Sequence, residues 1–248
     1  MKLVYSFTTK MQNYDDNDWQ MLLYRASIIK SKKLGYSIKL YGCNFAYDSL
    51  KDLIDEYVDI TNEEFILTDD LKIYIHSKED LDCITFDGDI ILENALTLPV
   101  DCDMIYERKG IVIASKVKTK FKKYLDIFKN YDIESVIPEF NYCTNYACNV
   151  GILKFNNQTL KDIFIKKYYI FREFYFKYID TDPKLYKNDD PAIIICEYTF
   201  ACLLDELNYT GKECNCINNY IHYMSLTKFT PIAWRHVNSI INPVVKIL

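Results

Sequence analysis

Short β-branched, apolar stretches alternate with helical ones at the start of this chain, and that alternation most restricts how it can fold. Leu3-Val4-Tyr5-Ser6-Phe7-Thr8-Thr9 reads as a strand ending in hydroxyls. Asp15, Asp16, Asn17 and Asp18 then offer N-caps for a helix whose apolar positions Trp19, Leu22, Leu23, Ala26 and Ile29 recur at helical spacing, and Gly35 ends it. Tyr36 to Tyr41 reads as a second strand, Asp48 to Tyr57 as a second helix and Val58-Asp59-Ile60 as a short third strand. The order β-α-β-α-β implies a parallel sheet with right-handed crossovers and places the chain in the α/β class.

Further along, Leu71 to Lys78 is expected to be helical, Asp103 to Glu107 and Ile111 to Ala114 extended, and Lys116 to Asn130 helical with Phe121, Tyr124, Leu125 and Phe128 inward. Ala147 to Phe155 reads as a core strand. Leu160 to Tyr178 reads as a long helix whose Ile163, Phe164, Tyr168, Phe171, Phe174, Tyr175 and Tyr178 make core. Asp190 and Pro191 are placed to cap and open a helix from Ala192 to Leu207.

At 248 residues, half of them hydrophobic and a quarter charged, the chain has the composition of a globular protein. A net charge of −5 argues against nucleic-acid binding, since the lysines from Lys116 to Lys123 read as the solvated side of an amphipathic helix. No apolar run has the length of a membrane span, and Met1-Lys2-Leu3-Val4 leads directly into a strand, so a cytoplasmic location is expected. Nine scattered cysteines fit free thiols better than disulfides, and Cys143/Cys148 and Cys214/Cys216 lack regular zinc spacing. Arginine is confined to Arg25, Arg108, Arg172 and Arg235 while Lys, Ile, Asn and Tyr abound, the bias of an AT-rich bacterial, phage or large-virus genome.

Asp87-Gly88-Asp89 lies between the apolar runs Ile84-Thr85-Phe86 and Ile90-Ile91-Leu92. Two carboxylates separated by a glycine, where a strand leaves the sheet, form half of a site for Mg²⁺ or Mn²⁺ with room for phosphate oxygens. The same residues also fit a plain polar turn. Asn149 and Gly151 are unusual inside a strand, where a glycine marks a bulge or a close backbone approach. Asp189 and Asp190 either cap a helix or face a substrate, and Glu197 either pairs with a cation or works in a site. His222 can complete a cation site or sit satisfied in the core, and Lys228 is close enough in sequence to neutralise a diphosphate.

Taken together, Lys72 one short helix ahead of Phe86-Asp87-Gly88-Asp89, Asn149-x-Gly151, Asp189-Asp190 and His222 followed by Lys228 resemble the GT-A type nucleotide-sugar glycosyltransferases. The pattern looks especially like the relatives of glycogenin and the bacterial and viral galactosyl- or glucosyltransferases. The resemblance implies a single GT-A domain over 1–248, Rossmann-like, with a mixed, mostly parallel sheet flanked by helices. In it, 1–115 is the nucleotide-binding half, and 116–248 holds the acceptor half and a C-terminal metal and phosphate segment. It also implies that Asp87, Asp89 and His222 bind Mn²⁺ (or Mg²⁺) and that Lys228 meets the diphosphate. Phe7, Thr8 and Thr9 would hold uridine, Lys72 and Gly88 would approach the donor, and Asn149, Gly151 and Asp190 would line the donor sugar and acceptor. The implied activity is hexose transfer from a UDP-sugar to a glycan, protein or lipid, with Asp190, Asp189 or Glu197 as base. The chain departs from the family where His-x-x-Gly-x-x-Lys-Pro-Trp is loosened to His222-x5-Lys228 with Pro231 and Trp234 displaced, and where an Asp-Gln pair appears as Asp189-Asp190. Two other readings stand beside it. A strand ending in Asp-x-Asp also resembles haloacid-dehalogenase-like phosphatases, and a non-catalytic sugar-nucleotide-binding relative would tolerate the loosened C-terminal motif.

Overall fold

A computed structural model describes residues 1–7, 19–65, 69–111, 126–141, 146–179, 193–214, 220–222 and 230–242. The fold is mixed α/β, and its chain divides into two compact units, each built from separated stretches. The first comprises Met1–Phe65, Asp82–Leu98 and Asn215–Leu248, and the second Ile66–Leu81 and Pro99–Cys214.

In the first unit, β1 (Lys2–Ser6), β2 (Ser37–Gly42), β3 (Glu56–Asp59) and β4 (Cys83–Phe86) lie in the order β3-β2-β1-β4, all parallel. Leu3 pairs with Ile38 on one side and Ile84 on the other. Such a central parallel strand has no wet face, which is why Leu3, Val4 and Tyr5 are all fully buried. α1 (Trp19–Lys33) ends at Gly35, whose φ of +85° is the left-handed conformation that glycine adopts without strain.

One expected helix is displaced. α2 spans Asn44–Leu50, a turn follows over Lys51–Leu53, and the last two residues of the expected helix, Glu56 and Tyr57, open β3. Asp55 accounts for the difference: its carboxylate accepts the Ile38 amide at 2.8 Å and Lys32 at 2.7 Å, fixing the chain as it enters the strand. Beyond β4, β5 (Ile90–Leu92) pairs antiparallel with β9 (Tyr220–His222), and α6 (Pro231–Ile241) packs Ala233, Val237 and Ile240 onto Leu23 and Ala26 of α1. Thr230 caps α6 by accepting the Ala233 amide at 3.2 Å, with Pro231 at the first position.

In the second unit, β6 (Met104–Ile111) runs between antiparallel β7 (Tyr146–Phe155) and parallel β8 (Gly211–Glu213). β6 covers most of the expected segment Asp103 to Glu107 and runs on to Ile111, while the rest of the expected segment Ile111 to Ala114 lies outside the described residues. α4 (Gln158–Ile179) lays the expected stripe against the unit's core, with Phe164, Tyr168, Phe171 and Tyr175 buried beside Phe128, Phe140, Phe155 and Phe200. The expected helix from Ala192 begins, within the described residues, as a π-helical turn (Ile193–Tyr198) leading into α5 (Thr199–Glu206). The seven described cysteines are free and buried. Among the described residues no helix is long and apolar enough to cross a membrane.

α3 (Asp70–Lys78) joins α4 through Asp70, whose Oδ1 accepts both the Tyr168 hydroxyl and Arg172 Nε at 2.9 Å. Its His76 is buried, edge-on to Phe155 with ring centroids 5.0 Å apart. Burial first, and then the Lys161 and Lys72 cations, lower its pKa to about 3. Between that value and the unfolded value near 6.5 only the unfolded chain takes the proton, so stability falls as pH drops through this window. We expect this group to add a slope of up to about 1.4 kcal/mol per pH unit. Urea unfolding at pH 7 and 4.5 should show that component in the wild type and not in His76→Leu; equal pH dependence in the two proteins would contradict it.

Candidate metal centre

β4 ends at Phe86, and the chain then turns within three residues, closed by the Ile90 amide donating to the Asp87 carbonyl at 3.1 Å. Asp87 and Asp89 flank Gly88 in this turn. β9 supplies the third member, because its register sets His222 opposite Ile90, one residue from Asp89. His222 Nε2 lies 3.2 Å from Asp89 Oδ1, and one ligand atom from each of Asp87, Asp89 and His222 lies within 4.8 Å of the others. All three are half-buried. The spacing lets one cation touch all three, and two carboxylate oxygens with one imidazole nitrogen suit Mn²⁺ or Mg²⁺.

The glycine between the carboxylates is required by space. A Cβ on Gly88 would lie 2.2 to 2.3 Å from three ring atoms of Tyr24, and its φ is not in the left-handed region. Tyr24 is held by its hydroxyl, which donates to the Ser6 carbonyl at 2.6 Å, and by an edge contact with Phe7, centroids 5.2 Å apart. Burial, and after it the charges of Asp87 and Asp89, raise the Tyr24 phenol well above its ordinary pKa. The ring therefore supports the turn as a neutral group inside a negative field.

A buried hydroxyl chain holds the strand that follows. Ser27 donates to the Ile90 carbonyl, so the Tyr5 hydroxyl, 2.9 Å away, donates to Ser27, and Ser31, 2.9 Å from Tyr5, donates to the phenol. Ser27→Ala leaves the Ile90 carbonyl without this partner and should cost about 1 to 3 kcal/mol in urea unfolding. An unchanged midpoint would show that the chain is not structural. Beyond it, Glu93 lies 3.1 Å from Lys30 Nζ on α1 and 3.2 Å from His236 Nε2 on α6.

Phe7 is fully buried, with its ring between Tyr24 and Phe45. Its side chain is part of the support under the turn, while Thr8 and Thr9 lie outside the described residues, as do Asp189, Asp190 and Lys228.

The other sequence candidates belong to the second unit. Lys72 is buried on α3 and donates to the Val150 carbonyl at 2.8 Å, with Asp69 Oδ1 4.0 Å away. Asn149 Oδ1 accepts the Gly151 amide at 3.0 Å, and the β6–β7 register slips between the pairs Tyr106–Leu153 and Arg108–Asn149. The irregularity expected of a glycine inside a strand is therefore present at Gly151. Glu197 is half-buried in the π-helical turn, a helical irregularity frequent at functional sites. Its charge adds to burial in raising the Cys148 thiol.

Two residues escaped sequence reading. Tyr24 lies outside the apolar spacing of α1, so nothing in the pattern marks it. Glu107, in the bulged part of β6, is almost completely buried with Arg108 Nε 3.9 Å from its Oε1. A carboxylate in an apolar strand was the available signal.

No protein-family model matches the chain, and no curated sequence does. Solved structures similar to it include the glycosyltransferase GlyE of Streptococcus pneumoniae TIGR4, at 11% identity and TM-score 0.39 over 86% of this chain and 44% of that one. The galactosyltransferase LgtC, solved with donor and acceptor sugar analogues, is 13% identical at TM-score 0.41, over 78% of this chain and 69% of that one. CTP:phosphocholine cytidylyltransferase (LicC) of Streptococcus pneumoniae is 12% identical at TM-score 0.45, over 97% and 98%. The chain spans less than half the length of GlyE. What it can do follows from its own residues.

Proposed function

We propose that the protein is a metal-dependent glycosyltransferase that moves a hexose from a UDP-sugar to an acceptor hydroxyl. The observation that carries this reading is the convergence of Asp87, Asp89 and His222, distant in sequence, on one small volume. A polar turn needs only Asp87 to Asp89; it does not explain a histidine delivered to the same point by a separate strand.

Asp87, Asp89 and a neutral His222 would hold Mn²⁺ or Mg²⁺, which when bound supplies Lewis-acid stabilisation of a diphosphate leaving group. Lys228 adds a cation to the diphosphate, and Thr8 and Thr9 form the nucleoside end of the reading, to which the buried Phe7 side chain contributes only by supporting the turn. Gly88 approaches the donor, and donor roles for Lys72, Asn149 and Gly151 rest on the family resemblance alone. The acceptor oxygen forms a bond to the anomeric carbon as the bond to the diphosphate breaks. Its proton passes to Asp189, Asp190 or Glu197 in an inverting reaction and to the leaving phosphate in a retaining one.

The test is a panel of sugar nucleotides, each with Mn²⁺ and with EDTA, read as thermal stabilisation and as UDP release. One UDP-sugar that raises the melting temperature only with metal, with slow UDP release, supports the reading and names the donor. Metal-dependent binding without transfer or hydrolysis would identify a non-catalytic binder. No response to any sugar nucleotide, with Mg²⁺-dependent phosphate release from a generic ester, would replace the transferase by a phosphatase.

A further inference from the structure

The second unit carries a cleft that none of the proposed donor or metal residues line. Its volume is about 430 Å³, within the usual range for small-ligand sites, and it is open to solvent. Tyr131, Phe174 and Tyr178 supply aromatic surface, and Asp132, Glu173 and Lys177 supply the charge.

The wall is built from two elements. α4 contributes Glu173, Phe174, Lys177 and Tyr178 over its last turns, at the i, i+3, i+4 spacing that shares one face. The other side follows the turn at Asp132, whose left-handed backbone (φ 57°) leads into the 3₁₀ turn Ile133–Ser135. Tyr131 stacks on Tyr178 with centroids 4.3 Å apart and planes 24° from parallel, and Phe174 meets Tyr178 at 4.9 Å. The Tyr131–Tyr178 pair thus presents the aromatic surface, with the buried and tilted Phe174 packed behind it.

We infer that this cleft binds a neutral oligosaccharide. Aromatic platforms offer apolar area at low entropic cost to the C–H faces of a pyranose. Exposed carboxylates accept two or more hydroxyl protons, and an ammonium donates to ring or hydroxyl oxygens. Other ligand classes fit less well. Asp132 and Glu173 outnumber Lys177 and repel a phosphate or a nucleotide. Lys177 Nζ stands 5.1 Å from the Tyr178 ring centroid, the place a quaternary ammonium would need. The direct Tyr131–Tyr178 stack leaves no slot between the rings for a planar base.

That this oligosaccharide is the acceptor rests on the transferase reading; that it binds does not. The test is therefore run with EDTA and without sugar nucleotide, by saturation-transfer NMR and calorimetry with lactose, maltotriose and chitotriose, and with choline and inorganic phosphate as contrasts. We expect one of the sugars to bind at millimolar or better affinity. Asp132→Asn and Glu173→Gln, both exposed and shape-conserving, should weaken it at least fivefold, and Tyr131→Ala should abolish it with the circular dichroism spectrum unchanged. Binding of none of the three sugars, preference for choline or phosphate, or sugar binding indifferent to Asp132→Asn and Glu173→Gln would overturn the proposal. A failure at Asp87 and Asp89 leaves this experiment intact, because no metal or donor enters it.

Discussion

Replacing Asp87 and Asp89 together by asparagine is expected to remove the metal-dependent part of sugar-nucleotide binding while leaving the fold intact. Each asparagine keeps the size of the side chain and removes the charge that attracts a divalent ion. Both positions are only half-buried, so the folded chain loses little by the change. At a donor concentration of about 100 times its dissociation constant, ligand stabilisation is about 2.7 kcal/mol. The double variant should forfeit that gain and show the same melting temperature with Mn²⁺ as with EDTA. His222→Ala should act in the same direction and less completely, since two oxygen ligands remain for a hard cation. A double variant that keeps the full Mn²⁺-dependent shift would remove these residues from the site.

Gly88→Ala is expected to be nearly as damaging although it changes no charge. The added methyl would have to sit inside the Tyr24 ring, which the hydrogen bond to Ser6 and the Phe7 edge contact prevent from swinging away. Overpacking of this kind typically costs about 1 to 3 kcal/mol. Relief by moving the turn would draw Asp87 and Asp89 away from His222, so Mn²⁺ affinity should fall along with stability. Tyr24→Ala in the same chain opens the space and should restore part of both. If Gly88→Ala alone proves neutral in urea unfolding and in Mn²⁺ binding, the glycine is merely a turn residue.

These two expectations show where reading the sequence succeeds and where it stops. The parallel pairing of β1 and β2 was legible because both are short, largely apolar and separated by helical spacing, whereas β3, with Glu56 and Asp59 exposed, showed only through Val58 and Asp59. The aromatic stripe of α4 was legible for the same reason. The half of the metal site made by Asp87 and Asp89 was visible as local spacing. His222 drew attention as a histidine after an apolar run and through the family resemblance, but its place beside Asp89 depends on the β5–β9 register, which no local pattern encodes. Gly88 was noticed but for a different reason: its requirement comes from Tyr24, a residue on α1 whose role exists only after packing. The end of α2 was misplaced because the Asp55 carboxylate accepts the Ile38 amide, a tertiary contact that no local pattern encodes.

The most direct measurement is Mn²⁺ binding itself, followed by electron paramagnetic resonance as the free-ion signal is lost on titrating protein, with and without UDP. One Mn²⁺ per chain is expected, tightened by UDP, with the signal loss gone in Asp87→Asn/Asp89→Asn. Titrations in which wild type and double variant remove equal amounts of Mn²⁺, whatever the UDP concentration, would contradict a metal centre at Asp87, Asp89 and His222.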